Sequence, residues 1–163
     1  MKHEIDAVYN ENSKILILGS FPSEASRKAG FYYGHKNNRF WRVLARVFDC
    51  DIPDDKEEKI KFLLGHRIAL WDVIGSCTVS GSADSDIKDA VPNDITPILN
   101  TAKIEAVYLN GGLAYRLYEK YIDCGLPYRR LPSTSPANAA YSLDKLVKEW
   151  SVIRYTPQKN GCP

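Results

Sequence analysis

The residues best suited to chemistry fall in a few short stretches. The densest is Phe31-Tyr32-Tyr33-Gly34-His35-Lys36-Asn37-Asn38-Arg39-Phe40-Trp41, where aromatic rings adjoin amides, an imidazole and a guanidinium. An exposed ring beside such groups suits stacking on a planar base whose edge the polar groups read. Phe40 and Trp41 sit at helical spacing and read as core. Tyr32 and Tyr33, next to Gly30 and Gly34, have no periodic face to join. Asn38 is well placed as a helix N-cap. His35 suits ordering this loop or touching a phosphate, although a lone histidine is equally explained as structural.

Two further stretches are Gly19-Ser20-Phe21-Pro22-Ser23 and Pro132-Ser133-Thr134-Ser135-Pro136-Ala137-Asn138. The first lacks G-K-[ST] and G-x-G-x-x-G, so it is no ordinary phosphate loop. It also lacks the G-x-S-x-G nucleophile elbow. Small hydroxyls in the second allow close approach to phosphates, and the same loop would serve to cap a last helix. Asp72 offers a carboxylate that only accepts hydrogen bonds; a strand-end cap or a partner for an arginine is its plainer reading.

The elements around these stretches place them together. Lys14 to Ser20, Arg67 to Val73, Ile104 to Leu109 and Tyr128 to Leu131 read as strands. Helices are expected over Asn38 to Phe48, over Asp54 to Leu64 with Pro53 at its first turn, from Asn93 or Asp94 through Thr101, and after the break at Gly111–Gly112 through Tyr121. A last helix runs from Asn138 or Ser142 to near Trp150. Gly75 to Asp86 reads as a polar loop. Strands alternating with helices predict a single-domain three-layer α/β/α sandwich with a central four-stranded parallel sheet. The domain would span residues 1–163, with a loose tail after about residue 155. Ligands of such sheets lie beyond the carboxyl ends of the strands, where Gly19 to Tyr33, Asp72 to Asp86, Asn110 to Ala114 and Pro132 to Asn138 all begin.

Bulk properties narrow the classes. Lys and Arg number 22 against 20 Asp and Glu, a formal charge of +2, so any nucleic-acid affinity would rest on a local basic face. Arg27, Lys28, Lys36, Arg39, Arg129 and Arg130 fall in or beside the proposed rim. No stretch approaches the roughly 18 apolar residues of a membrane span, and the chain reads as cytoplasmic. The four cysteines form no C-x-x-C pair, and His3 and His66 lie far from His35 in sequence. No metal site or other cofactor is expected.

The order G-S-F-P-S, F-Y-Y-G-H-x-x-N-R-F-W, A-L-W-D-V and P-S-T-S-P-A-N-A resembles the uracil-DNA glycosylase superfamily over roughly Ile15 to Trp150. The combination with W-D-V-I-G-S-C is most like the hypoxanthine-DNA glycosylases. The first motif of that superfamily normally carries Asp or Asn before its proline to orient the attacking water; Phe21 stands there. The resemblance to the hypoxanthine branch assigns that role to Asn38, whose side-chain carbonyl would hold water near a sugar carbon. By the same resemblance Asp72 takes the position of a base-reading Asn. It would suit the N1–H of hypoxanthine or the N3–H of uracil. Phe21 and Tyr33 would contact the base, with Gly19, Ser20, Pro22 and His35 in support. Ser133, Ser135, Pro136 and Asn138 would grip the DNA backbone, and Ser133 replaces the histidine of uracil-specific members.

The resulting expectation is a monomeric, monofunctional glycosylase that releases deaminated bases from DNA, leaves an abasic site and is nucleoid-associated when at work. Two rivals stand beside it. A small α/β hydrolase would use Ser20 or Ser23, and a Ser hydroxyl bonded to His35 would favour it. A non-catalytic lesion-binding module would bind damaged DNA tightly without releasing a base.

Overall fold

Ile15, Leu16, Ile17 and Leu18 are all fully buried, as a strand covered on both faces requires. They belong to β1 (Ile15–Gly19). The computed structural model describes residues 1–79 and 87–154. β1 lies between β2 (Ile68–Asp72) and β5 (Ala106–Asn110), and β6 (Tyr128–Leu131) pairs with β5. All three pairings are parallel, in the order β2-β1-β5-β6.

The two-residue pleat divides the core. Ile15, Ile17, Ile68 and Leu70 join one cluster, with Phe40, Val43, Leu44 and Val47 of α2 (Phe40–Val47). Leu63 of α3 (Lys56–Gly65) and Leu146 and Trp150 of α6 (Leu143–Trp150) complete that layer. Leu16, Leu18, Ala69, Val107 and Leu109 face the other way. There they meet Ile98 of α4 (Thr96–Thr101) and Ala114 and Tyr118 of α5 (Gly112–Tyr121). Burying each such Leu or Ile contributes about 1.5–3 kcal/mol. The three-layer α/β/α arrangement is the expected one.

Three local features differ from expectation. The region after Asp72 is not simply a loop. β3 (Ile74–Val79) and β4 (Ile87–Pro92) form an antiparallel pair with register shifts between Ile74 and Ser76 and between Ser76 and Thr78. Small polar residues and broken register hide the period-two signal there; residues 80–86 lie outside the described residues, as does the tail from residue 155. The stretch after Gly19 holds a short α1 (Glu24–Ala29), capped when the Ser23 Oγ accepts the Ser26 N–H at 3.1 Å. The N-terminal residues run along β2 and β3. The His3 N–H donates to the Gly75 carbonyl at 2.7 Å, and Val8 and Leu70 exchange a backbone pair.

Helix starts follow local chemistry. Ser142 caps α6 through the Lys145 N–H at 3.2 Å. Asp94, not Asn93, serves the start of α4, accepting the Thr96 N–H at 3.0 Å. The Asn93 amide instead donates to the carbonyls of Asp72 and Ile74, tying the end of β2 to β3.

Candidate active site

Sheet register assembles the site before any side chain is considered. Gly19 at the end of β1 is paired with Asp72 at the end of β2, and Asn110 at the end of β5 with Leu131 of β6. The loops leaving these ends enclose a cleft of about 1080 Å³. Gly19, Ser20, Phe21, Pro22, Tyr33, His35, Asn38, Asp72, Ser133, Ser135 and Asn138 all line it. Pro136 alone of the expected residues does not.

At Gly19 the absence of a side chain is a packing requirement. A Cβ there would lie 2.5 Å from the Asp72 Oδ1 and 2.9 Å from the Tyr33 hydroxyl. Asp72 is 3 % exposed, and its Oδ2 is hydrogen-bonded to the His3 Nε2 at 2.8 Å. Its Oδ1 is turned to Gly19 and, among the described residues, accepts no hydrogen bond. His3, distant in sequence from every motif, is therefore part of the cleft wall.

Asn38 sits in a chain of oriented hydrogen bonds. The Asn110 Nδ2 donates to the Thr134 Oγ1 at 3.1 Å, and the Thr134 N–H donates back to the Asn110 Oδ1 at 3.1 Å. The Thr134 hydroxyl donates to the Asn38 Oδ1 at 3.0 Å. That same oxygen accepts the Phe40 N–H at 2.9 Å, so Asn38 also serves the first turn of α2. A backbone N–H can only donate, which settles which way the amide faces. Both lone pairs of the carbonyl are engaged, and what Asn38 offers a ligand is its N–H₂. Sequence reading expected the carbonyl to hold water. Thr134, fully buried, and Asn110 were not singled out, although Thr134 lies inside a motif that was.

The aromatic residues separate into core and site. Tyr32 is 2 % exposed, and its hydroxyl donates to the carbonyl of Asp6 at 2.8 Å, so it is core after all and pins the N-terminal segment. Tyr33 adopts a left-handed φ of 55° and lays its ring on Phe40, with centroids 4.0 Å apart and planes 19° from parallel. A non-glycine residue in that region is held there by its surroundings. Its hydroxyl is buried without a hydrogen bond. Burial, followed by the Asp72 carboxylate, pushes the phenol far above its ordinary range. The Asn110 amide offsets part of this without the alignment of a hydrogen bond. Tyr33 is a neutral phenol at any physiological pH. Phe21 is half-buried, with the Arg27 guanidinium 5.6 Å from its ring centroid.

The Ser/Pro loop is stiffened from within and from α2. The Ser135 N–H donates to the Ser133 Oγ at 3.1 Å, and the Asn138 Nδ2 to the Ser133 carbonyl at 3.0 Å. Arg39, expected on the basic rim, is a clamp instead. Its guanidinium donates to the carbonyls of Ser135 at 2.9 Å, Asn138 at 3.0 Å and Tyr141. Its charge is spent on backbone oxygens. Arg39→Met should cost about 3 kcal/mol, read by urea unfolding; a loss below about 1 kcal/mol would show the loop holds itself. Lys28 pairs with Glu24 at the open surface, while Arg130 does line the cleft.

These placements bear on the alternatives. The Ser23 Oγ bonds the Ser26 hydroxyl at 3.1 Å, and the His35 Nδ1 accepts the Asn37 N–H at 3.0 Å. No serine hydroxyl is bonded to His35 among the described residues, so the arrangement a Ser hydrolase needs is missing. Among the described residues no group of three His, Cys, Asp or Glu could hold a metal ion, and no helix is long and apolar enough to cross a membrane.

Residues 7–155 match the family model described as the uracil DNA glycosylase superfamily. The chain is 35 % identical over 155 residues to a hypoxanthine DNA glycosylase of Methanosarcina acetivorans, covering 94 % of this chain and 98 % of that protein. It is 32 % identical over 139 residues to one of Methanosarcina barkeri, covering 84 % and 88 %. A solution NMR structure from M. acetivorans, described as a candidate uracil DNA glycosylase, superposes with a TM-score of 0.80 at 33 % identity. It covers 96 % of this chain and 99 % of that one. Motif order, sheet topology and full-length similarity agree: this chain belongs to the uracil DNA glycosylase superfamily.

Proposed function

We propose that the protein hydrolyses the N-glycosidic bond of deaminated bases in DNA, hypoxanthine above all and uracil as well, leaving an abasic site. The observation that carries this reading is the pairing of an unengaged carboxylate oxygen on Asp72 with a rigidly held Asn38 amide in one cleft. A base extruded from the duplex enters that cleft. Its ring lies against Tyr33, with Phe21 as an apolar wall that displaces water. The Asp72 Oδ1 accepts the lactam N–H, which hypoxanthine and uracil carry and adenine and cytosine lack at that position.

The sugar C1′–N bond then breaks, and its electron pair leaves with the base. The positive charge spreads over C1′ and the ring oxygen. Asn38 donates an N–H to the oxygen of a water molecule and holds it beside C1′. Another lone pair of that water attacks, and the proton it loses goes to solvent. An amide suffices because the oxocarbenium-like sugar needs a positioned nucleophile more than a strong base. Thr134 and Asn110 keep the amide from turning over. Ser133, Ser135 and Asn138 meet the phosphates on either side of the extruded nucleotide, and Arg130 supplies charge there.

The test is incubation with end-labelled duplexes carrying inosine or uracil, followed by alkali. Free base should appear, and the strand should break only after alkali. Strand cleavage without alkali would overturn the monofunctional reading. Tight binding with no base released at excess protein would favour a lesion-binding module.

A further inference from the structure

His3 lies 69 residues from Asp72 in the chain, yet the two meet in the wall of the cleft. The side chains are 3 % and 5 % exposed. The imidazole is boxed by three rings. Phe21 and Trp71 present themselves edge-on at 5.9 and 6.2 Å, and Tyr32 lies tilted at 6.1 Å. Backbone bonds hold the segment that delivers it. The His3 N–H donates to the Gly75 carbonyl at 2.7 Å, and the Cys77 N–H to the Met1 carbonyl at 2.8 Å. The Tyr32 hydroxyl also donates to the Asp6 carbonyl at 2.8 Å.

The two ring nitrogens have unequal partners, and this fixes the proton. The Ile5 N–H donates to Nδ1 at 3.3 Å, and a backbone amide cannot accept. Nδ1 therefore carries no proton. An imidazole keeps at least one, so it resides on Nε2 and is donated to the Asp72 Oδ2. The pair is a neutral histidine and a carboxylate. One Asp72 oxygen is turned to His3 and the other to Gly19 at the cleft.

We propose that His3 is a positioning residue for base recognition: as the neutral Nε2–H tautomer it fixes the Asp72 carboxylate so that Oδ1 faces the cleft and accepts the lactam N–H of the extruded base. Without that bond the carboxylate is free to rotate about its Cβ–Cγ bond, and the acceptor is no longer preset. The inference rests on the base-reading role given to Asp72 above. It adds that the N-terminal segment, outside every motif, completes the pocket.

Two measurements test it. In the first, single-turnover release of hypoxanthine is compared for the native protein, His3→Ala, His3→Gln, Asp72→Ala and the double variant His3→Ala/Asp72→Ala. His3→Ala should slow release about tenfold, and His3→Gln, which keeps a donor, should recover part of the loss. In the Asp72→Ala background the same change should have no further effect. Native-like release by His3→Ala, or the same factor in both backgrounds, overturns the proposal. The second measurement is ¹⁵N spectroscopy of labelled histidine in the native protein. It should show neutral His3 protonated on Nε2, and that signal should shift in Asp72→Ala. A cationic ring or an Nδ1–H tautomer overturns the proposal even if the native protein releases no base, an outcome that would separately defeat the functional reading.

Discussion

Asn38→Ala should lower the single-turnover rate of hypoxanthine release by about two to three orders of magnitude, while binding of inosine-containing duplex stays close to native. The amide is the group best held in the cleft. Its carbonyl is saturated by the Thr134 hydroxyl and the Phe40 N–H, so the N–H₂ cannot exchange places with it. Removing it takes away the donor proposed to hold water at C1′, and Phe21 can neither donate nor accept in its place. The loss of the first-turn bond to α2 should cost about 1 kcal/mol of stability, too little to unfold the chain. A rate within about tenfold of native would mean that water is placed by another group.

The second large effect is expected from Asp72→Asn. His3 offers Nε2–H to the buried side, so the new amide must turn its oxygen there and its N–H₂ to the cleft. The acceptor facing the base becomes a donor. A lactam N–H would then meet an N–H, and release of hypoxanthine and uracil should each fall at least about a hundredfold. Binding of undamaged DNA, carried by the phosphate contacts, should hardly change. If release fell by less than about threefold, the edge of the base would be read elsewhere in the cleft. Run on an adenine-containing duplex, the same assay reports whether the inverted pocket gains a new substrate.

Much of this was legible in the sequence because the relevant signals are local. Three apolar runs ending at Gly19, Asp72 and Asn110, with the shorter segment Tyr128 to Leu131, give the parallel sheet, and parallel topology alone brings the following loops to one edge. That topology points to Tyr33, Asp72 and the Ser133 to Asn138 loop, whereas Asn38 is named through the resemblance to the hypoxanthine branch. What could not be read depends on contacts between distant residues. The His3–Asp72 bond spans 69 positions, and a histidine near the start of a chain carries no periodic signal. Arg39 looks like a surface charge, because nothing local reveals three backbone carbonyls about 100 positions further along the chain waiting for it. Thr134 stands between two serines with the same chemistry. Only burial distinguishes the hydroxyl that holds Asn38 from those that tie the loop. The β3–β4 pair escaped because its register is irregular and its residues are small and polar.

The departure from the superfamily's first motif at Phe21 fits its surroundings. A polar residue before that proline would sit among Arg27, His3 and the cleft, where an apolar ring now packs. In the proposed mechanism the amide that holds water stands across the cleft, in the loop before α2. There the network from Asn110 through Thr134 supplies a rigidity that a lone side chain on the first loop would lack.

The most direct test is a crystal structure of the Asn38→Ala variant bound to a duplex containing one inosine. The inosine nucleotide should lie extruded in the cleft, its hypoxanthine stacked on Tyr33 with N1 within hydrogen-bonding distance of the Asp72 Oδ1 and its sugar C1′ facing the space left by the Asn38 amide. An inosine still stacked in the duplex, or one seated in the cleft with its N1–H edge turned away from Asp72, would contradict the proposed recognition.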